Sequence, residues 1–327
     1  MASQSAAQTP FQYPRGWFIV AASSEVSGEA SRRLFFFGKR MVAFRDSDGK
    51  AAVLDAVCPH MGAELGVGGC VDEGGVRCPY HHWRFGPDGR CNDIPYSKAI
   101  PPRARVHSYP VREINGLIHV WNDPEFGEPD FDVPDLEAFD NPDWMPWTLE
   151  RRDIHSVPLE LIDNIADIGH FLPVHQAKPL SFDVKFVGHQ AIQILDQTHE
   201  TLATEPGAVM RTTTTYHGPG ILLSYVEGRY DSWLTLSNTP IDENHMTIWF
   251  GLMMKTNGPV TDEFRNLHQE YLDAARVATG QDVEIWENKS FVEQPLLCRD
   301  DGPILRAREW YRQFLRPRAP IVAEQAA

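Results

Sequence analysis

Two short Cys-His pairs constrain this chain more than any other feature of its sequence. The first pair is Cys58-Pro59-His60, and the second is Cys78-Pro79-Tyr80-His81. Two thiols and two imidazoles form a donor set that suits either a zinc ion or an iron–sulfur cluster. Glycines and prolines beside both pairs would allow two tight loops to pack over a metal without steric conflict. The sequence therefore predicts a metal centre in its first hundred residues.

The distribution of the donors favours one kind of centre. A Rieske 2Fe-2S cluster binds both thiolates on one iron and both imidazoles on the other, so each loop must supply one of each. Zinc has no such requirement and remains the alternative. We predict that the cluster ligands are Cys58, His60, Cys78 and His81. His82 is a rival ligand, but the two-residue gap in the motif favours His81, and we interpret His82 as a surface or interface residue.

The remaining cysteines do not form a second pattern. Cys70, Cys91 and Cys298 are irregularly spaced, and the total of five is odd, which argues against a secreted disulfide framework. We interpret these three as packed or surface thiols. The acidic net charge of -15 disfavours nucleic acid and anionic membranes as partners, and residues 1–10 match neither a signal peptide nor a membrane span. A cytoplasmic location is the expectation.

A second group of metal-binding residue types follows later in the chain. Asp163, Asp167 and His170 are spaced so that they would share one face of a helix. Pro173 should end that helix, after which the chain can fold His175 back toward the same metal. Two histidines and one carboxylate with open positions form the facial triad of Fe(II) oxygenases. Taken alone, the same spacing also occurs in a helix that carries solvated acids.

Composition and periodicity divide the chain. After a tail at 1–14, short β-type runs at 18–21, 34–37, 41–44 and 117–121 predict a small all-β module over residues 15–122. Residues 123–147 are rich in proline and acidic side chains, which indicates an ordered or extended connector. A second domain at 148–316 has a predicted helix at 158–170, strands between 216 and 254, and a helix at 262–278 capped by Thr261. Residues 317–327 form a tail.

The motifs resemble a known family. Residues 58–62 and 78–85 resemble the Rieske domains of ring-hydroxylating oxygenases, except that His82 stands where glycine is usual. Residues 161–171 resemble the iron-binding helix of the oxygenase component of 3-ketosteroid 9α-hydroxylase, and segments 281–286, 295–297, 301–303 and 310–311 look like that branch. The resemblance implies an α+β fold, in which an N-terminal all-β Rieske domain precedes a helix-grip catalytic domain with an antiparallel sheet around a long helix.

The resemblance also implies roles for particular residues. His170 and His175 would bind a mononuclear Fe(II), and Asp282 would be the third ligand, with Glu284 and Glu287 as rivals on the same helix. Asp167 would bridge to the Rieske histidine of a neighbouring subunit in a ring-shaped homotrimer. Electrons would come from a separate NAD(P)H-dependent reductase, with or without a ferredoxin. No flavin or NAD site is expected on this chain, because Gly66, Gly68 and Gly69 lack a following helix.

The implied activity is oxidation of a C–H bond with O₂, with monohydroxylation favoured. An apolar, polycyclic or steroid-like molecule is the expected substrate, and about half of a set of strand residues should line its pocket: Leu222, Leu223, Tyr225, Trp233, Trp249, Phe250, Met253 and Met254. Desaturation, demethylation and ring closure are alternative outcomes. A pure electron carrier would leave the second domain unexplained, and a non-catalytic binding protein is opposed by the complete set of iron ligands.

Overall fold

The computed structural model describes residues 12–199, 208–228, 230–256, 258–315 and 317 of the chain. Most of the two tails expected at 1–14 and 317–327 lies outside these residues. Among the helices in these ranges, none is both long and apolar enough to cross a membrane.

The first part of the chain consists of three small antiparallel sheets. Their strands are β1 (Gly16–Ala22), β2 (Arg32–Phe36), β3 (Lys39–Arg45), β4 (Ala51–Asp55), β5 (Cys70–Asp72), β6 (Gly75–Arg77), β7 (Arg84–Phe85), β8 (Cys91–Asp93), β9 (Val111–Ile114) and β10 (Leu117–Asn122). The orders are β1-β10-β9, β2-β3-β4 and β5-β6-β7-β8. The strand runs expected from the sequence lie in β1, β2, β3 and β10, with Phe37 just beyond the end of β2. Apolar and β-branched residues dominate the buried strands, as their propensities predict.

The connector is ordered and packed. Residues 123–147 contain no helix or strand apart from an isolated bridge between Trp144 and Lys255. Val133, Leu136 and Ala138 are nevertheless buried in a core that also contains residues of β1 and β10. The indole nitrogen of Trp17 donates to the carbonyl of Phe131 at 2.7 Å. The apolar residues of the connector, which alternate with its acidic ones, therefore hold this segment against the core that contains β1 and β10.

The second part is built on one large antiparallel sheet. Its strands are β11 (Thr148–Ile154), β12 (Ala177–Val187), β13 (Gln190–His199), β14 (Val209–His217), β15 (Ile221–Glu227), β16 (Ser232–Pro240) and β17 (Met246–Met254). The order is β11-β17-β16-β15-β14-β13-β12. The helices are α1 (Pro158–Ala166), α2 (Phe171–His175), α3 (Asp262–Asn288) and α4 (Ile304–Arg312). This arrangement confirms the expected fold class, an all-β module followed by an antiparallel sheet with helices.

The two faces of this sheet have different neighbours. Leu222 and Ile248 pack with α1 and α4, and Phe250 packs with α3. Leu223 and Trp249 instead belong to the core shared with β1 and β10. Strand alternation and register put three of the eight expected pocket residues on the helix side, Leu222, Phe250 and Met254. The other five face away from the helices. About half were expected on the side that faces the helices, and three of the eight are found there.

The segment that carries the expected iron ligands departs from the expected helix over 158–170. Helix α1 ends at Ala166, and the side chain of Asp167 accepts a hydrogen bond from the Gly169 amide at 2.7 Å. This local turn competes with continuation of the helix. His170 is therefore not on α1 but is the N-cap of α2. Pro173 does not break a helix here, because it lies in the first turn of α2, where its missing N–H is not needed.

Helix α3 is longer than expected. It begins after Thr261, whose hydroxyl accepts from the Phe264 amide at 3.2 Å, so the predicted cap is confirmed. It continues to Asn288 rather than ending at residue 278. The added turns carry Asp282 and Gln281, and so the helix reaches from the sheet to the region of α2.

Candidate metal centres

The two Cys-His pairs lie in loops that close on themselves. In the first loop, the Cys58 amide donates to the Ala63 carbonyl at 2.9 Å and the Gly62 amide to the Cys58 carbonyl at 2.9 Å. In the second, the Cys78 amide donates to the Trp83 carbonyl at 2.8 Å and the His82 amide to the Cys78 carbonyl at 3.0 Å. Gly62 and His82 occupy the left-handed region that such turns require, at φ 80° and 61°. The two loops are built alike.

The four donors of these loops fit a metal centre. Cys58 and Cys78 are both buried, and the rings of His60 and His81 lie 4.5 Å apart between centroids. The Nδ1 atoms of both histidines are buried without a hydrogen-bond partner. Buried polar atoms are rarely left unpaired unless something absent from the protein chain binds them. Burial also raises the pKa of Cys58 to about 11, so this thiol needs a bound cation to become a thiolate.

The grouping of the four donors distinguishes a 2Fe-2S cluster from a zinc ion. Among the described residues, one group of His, Cys, Asp or Glu has its ligand atoms all within 4.8 Å, and it is not this one. Here the donors divide into a thiol pair, Cys58 with Cys78, and an imidazole pair, His60 with His81. A thiol pair beside an imidazole pair matches the ligand division of a binuclear cluster, in which each iron takes one kind of donor, whereas a tetrahedral zinc ion does not require that division.

Aromatic residues surround the imidazole pair. The His60 ring stacks on Trp83 at 4.6 Å with an interplanar angle of 8°. The indole nitrogen of Trp83 donates to the hydroxyl of Tyr96 at 2.7 Å. Tyr96 was not identified from the sequence, because it lies outside both motifs and only the fold brings it to the second loop.

The group that meets the 4.8 Å spacing is His170, His175 and Asp282. The Nε2 atom of His175 lies 3.1 Å from Oδ1 of Asp282, and the two imidazole centroids are 5.2 Å apart. Helix α2 presents both histidines, one from its N-cap and one from its last residue, while α3 supplies the carboxylate. Residues more than a hundred positions apart in sequence thus form a two-histidine, one-carboxylate set.

Neighbouring polar groups orient both imidazoles. The Nδ1 atom of His175 donates to Oε1 of Gln281 at 3.2 Å, which leaves Nε2 facing Asp282. The Asn164 amide donates to Nε2 of His170 at 3.3 Å, an arrangement that puts the His170 proton on Nδ1. Burial alone would lower the pKa of His175, but the hydrogen bond and charge of Asp282 outweigh it and raise that pKa. Neither Asn164 nor Gln281 was singled out from the sequence.

The remaining carboxylates take other positions. Asp167 Oδ2 lies 3.5 Å from Nδ1 of His170, and about a third of its side chain is exposed. Glu287 accepts from Arg152 at 3.0 Å and from the His155 amide at 3.3 Å, away from the histidines. Glu284 is exposed. The structure therefore brings Asp282, and neither glutamate, to His170 and His175.

A small cavity with both charged and apolar walls adjoins this second group. Its volume is about 230 Å³, and it lies between α1, the second half of α3 and the segment that follows. His170, Asp167 and Asp282 line this cavity, together with Glu160 and Lys289. The cavity therefore reaches two of the three candidate iron ligands, His170 and Asp282.

Comparison with known proteins defines the class. The profile described as the Rieske [2Fe-2S] domain matches residues 16–110, and the profile described as the 3-ketosteroid 9alpha-hydroxylase C-terminal domain matches residues 120–315. Together with the two donor sets, these matches define a Rieske-type non-haem iron oxygenase, an enzyme that uses a 2Fe-2S cluster and a mononuclear iron. The second match covers more than half of the chain, so the protein belongs to the family of 3-ketosteroid 9α-hydroxylase oxygenase components.

Full-length relatives agree with this assignment. A 3-ketosteroid-9-alpha-monooxygenase oxygenase component of Rhodococcus rhodochrous is 34% identical, over 93% of this chain and 83% of the relative. One from Mycobacterium tuberculosis is 31% identical, over 96% and 85%. A cholesterol 7-desaturase of Ciona intestinalis is 28% identical, over 95% and 70%. As an oxygenase component, the chain requires a separate reductase.

Solved structures share the fold. Dicamba monooxygenase bound to dicamba superimposes with a TM-score of 0.76 at 21% identity, over 93% of this chain and 98% of that one. NdmA of Pseudomonas putida with caffeine gives a TM-score of 0.75 at 18% identity, over 90% and 89%.

Proposed function

We propose that this chain hydroxylates a C–H bond of a steroid-like, fused-ring substrate, with Cys58, His60, Cys78 and His81 holding the cluster and His170, His175 and Asp282 holding Fe(II). The observation that carries the proposal is the presence of two distinct donor sets in one chain, one of paired thiols and imidazoles and one facial triad. The reaction balances as substrate C–H plus O₂, two electrons and two protons giving the alcohol and water. When bound, the metals supply O₂ activation and electron storage.

The protein residues of the proposed site orient the ligands. Gln281 accepts the Nδ1 proton of His175 and so reserves Nε2 for the metal. Asn164 acts differently at His170: its amide favours the tautomer with the proton on Nδ1, but it donates to the Nε2 lone pair that a metal would take, so it must turn aside when iron binds. That proton faces Asp167, which in our proposal links His170 to a Rieske histidine of a neighbouring subunit. The exposed part of the Asp167 side chain leaves room for such a contact.

The proposed assembly is a homotrimer in the cytoplasm. Electrons would pass from the cluster of the next subunit in the ring through Asp167 to the catalytic iron. Each catalytic iron would therefore depend on a neighbour's cluster. The donor would be an NAD(P)H-dependent reductase, with a ferredoxin either separate or fused to it. All five cysteines are unpaired, which suits a reducing compartment.

The substrate proposal rests on the helix-facing side of the sheet and on the relatives. Leu222, Leu234, Leu236, Phe250 and Leu252 make most of that surface apolar. Beside them, the Thr214 and Ser224 hydroxyls lie 2.8 Å apart, and Gln193 is paired with Thr214 across the strands. An apolar wall with a few polar groups would orient a ring system that carries one oxygen function. The relatives named as 3-ketosteroid monooxygenases make a 3-ketosteroid the first candidate.

Desaturation is the second candidate outcome. The Ciona relative is named a cholesterol 7-desaturase, and it aligns with nearly the whole chain. Hydroxylation and desaturation both begin with cleavage of a substrate C–H bond, and they differ in whether oxygen is then transferred. The product mass distinguishes them, because one adds an oxygen atom and the other removes two hydrogens.

One experiment tests the assignment in two parts. After anaerobic iron and sulfide reconstitution, the reduced protein should give the rhombic EPR signal of a Rieske centre, and His81→Ala should abolish it. With a surrogate reductase, a 3-ketosteroid should accelerate O₂ uptake and yield a product of increased mass. A colourless, zinc-only protein would refute the cluster assignment. If small carboxylated aromatics stimulate O₂ uptake and steroids do not, the substrate proposal is wrong and the oxygenase assignment survives.

A further inference from the structure

A basic groove lies beside the first Cys-His loop of an otherwise acidic chain. The formal net charge is -15, yet this groove collects cationic side chains from the start of β3 and from residues 105–107. Its volume is about 470 Å³. We define the basic groove by six of its residues: Lys39, Arg40, Asp55, Val57, Arg105 and His107.

The positive charge of the basic groove is largely uncompensated. Within the described residues, no carboxylate lies at ion-pair distance from Lys39 or Arg105; the Lys39 ammonium instead lies 5.5 Å from the centroid of the Phe126 ring. Arg40 approaches Glu64 at 3.5 Å, but Glu64 is already paired with Arg33 at 2.6 Å.

The carboxylate inside the basic groove does not cancel these cations. Asp55 accepts a hydrogen bond from the Tyr109 hydroxyl at 2.7 Å, and it is a single negative charge beside Lys39, Arg40 and Arg105. Both Lys39 and Arg105 are exposed. A field of positive sign therefore remains at the mouth of the groove.

The basic groove is structurally continuous with the cluster loop. Val57 lines the groove, is 39% exposed and immediately precedes Cys58. The Ala56 amide donates to the Arg40 carbonyl at 2.9 Å, which ties the loop to the basic edge of β3. A protein seated in the groove would thus lie against the backbone that carries one of the proposed cluster thiols.

We propose that the basic groove is the docking surface for an acidic iron–sulfur electron donor, either a ferredoxin or the equivalent domain of the reductase. The inference rests on the proposed function and names the surface that its electrons cross. One electron leaves the reduced donor cluster and enters the centre held by Cys58, His60, Cys78 and His81; no bond forms or breaks, and no proton is transferred. Two acidic proteins repel in other orientations, so the groove selects the productive one.

The test uses the reconstituted full-length protein and an acidic plant-type [2Fe-2S] ferredoxin as the probe. The groove variant is Lys39→Glu/Arg105→Glu, and the matched control is Lys185→Glu/Arg299→Glu, which changes the net charge equally at exposed positions of the second domain. Calorimetry gives the Kd of the oxidised ferredoxin, and stopped-flow absorbance gives the rate of reduction by the reduced ferredoxin. At low salt we expect the groove variant to bind about tenfold or more weakly and to be reduced correspondingly more slowly. High salt should reduce the difference in ferredoxin affinity between wild type and the groove variant.

Three results would count against the basic groove as a docking surface. Unchanged ferredoxin affinity in the groove variant, or equal loss in the control variant, would overturn the docking surface. Dissociation of the oligomer by the groove variant, seen by analytical ultracentrifugation, would identify the groove as a subunit interface and also overturn it. Reduction by dithionite serves as the internal check and should be identical in all variants. A wild-type protein that gives no Rieske signal with dithionite would instead refute the proposed function.

Discussion

Arg308 of α4 and Asp163 of α1 form a buried, two-point ion pair across 145 residues of sequence. The guanidinium Nε donates to Oδ1 at 2.7 Å and Nη2 donates to Oδ2 at 2.5 Å. The remaining Nη1 donates to the carbonyls of Val292 and Glu293 at 2.8 and 3.0 Å. One side chain therefore fixes the helix that precedes the proposed iron ligands, and it also fixes the segment that follows α3.

Replacing Arg308 with Met should destabilise the protein strongly. The substitution leaves the carboxylate of Asp163 buried without its counter-charge, a situation that typically costs about 3 to 5 kcal/mol. Urea unfolding of the metal-free protein, compared with wild type, measures the loss. Arg312→Met is the matched control on the same helix, because its pair with Glu309 is exposed and should contribute less than about 1 kcal/mol. Equal losses in the two variants would contradict this account of Arg308.

The double variant Asp163→Leu/Arg308→Met separates charge from packing. Removing both ends of a buried pair leaves no unpaired charge, so a large part of the lost stability should return. The same unfolding experiment measures it. If the double variant is no more stable than Arg308→Met, the pair stabilises the fold through its shape and its bonds to the 292–293 backbone rather than through charge.

The sequence revealed most about the parts of the molecule that are locally encoded. Both Cys-His loops were predicted because their ligand spacing and turn residues lie within a few positions of one another. The strands of the first module and the cap at Thr261 followed from equally local patterns. The fold class was also predicted, because the family resemblance spans both parts of the chain.

Features decided by distant contacts were missed. The expected helix over 158–170 was wrong because the turn formed by Asp167 ends α1, and local periodicity does not register that competition. Asp163 pairs with Arg308 rather than belonging with His170, which only the packing of α4 reveals. Period-two alternation separated Leu222 from Leu223, but which side of the sheet faces the helices depends on tertiary packing.

Asp167 and Asp282 should respond differently to replacement by alanine. Asp282→Ala removes a proposed iron ligand, so the mononuclear iron should be lost while the Rieske EPR signal remains. Asp167→Ala should retain both centres and abolish coupled substrate turnover, because that carboxylate lies 3.5 Å from Nδ1 of His170 and is not one of the three proposed ligands. Iron quantitation, EPR and product yield per O₂ consumed distinguish the two. Loss of the mononuclear iron from Asp167→Ala, with retention in Asp282→Ala, would show that the two roles are exchanged.

His82→Gly should stabilise the first module. His82 holds a φ of 61°, which a side chain makes unfavourable by about 1 kcal/mol, and its side chain is exposed. Chemical unfolding followed by loss of cluster absorbance measures the gain. Asn115→Gly is the control at a similar φ of 54°, but there the side chain donates to the Pro134 carbonyl and accepts from the Leu136 amide. Asn115→Gly should therefore destabilise the protein. If both variants are more stable than wild type, relief of backbone strain outweighs the loss of the Asn115 hydrogen bonds.

The buried imidazole of His119 should make stability depend on pH below neutrality. Burial within β10 lowers its pKa to about 4, from the ordinary value of 6.5. Because the folded-state pKa is depressed, the unfolded chain binds the extra proton between these two values. Stability from this group is therefore fully present above about pH 6.5 and is lost as the pH falls toward 4.

The size of that loss is measurable against a variant that does not titrate. The difference between an unfolded-state pKa of about 6.5 and a folded-state pKa of about 4 predicts a larger loss of stability for wild type. When the pH falls from about 6.5 to about 5.5, the free energy of unfolding of wild type should decrease by about 1 kcal/mol more than that of His119→Gln. Urea unfolding of both metal-free proteins at the two pH values gives the comparison. The absolute stability of His119→Gln does not matter, since only the difference between slopes reports the buried proton site. Equal dependence of stability on pH in the two proteins would mean that the charged form of His119 finds a partner in the fold, for which the Arg112 carbonyl, 3.2 Å from Nδ1, is one acceptor.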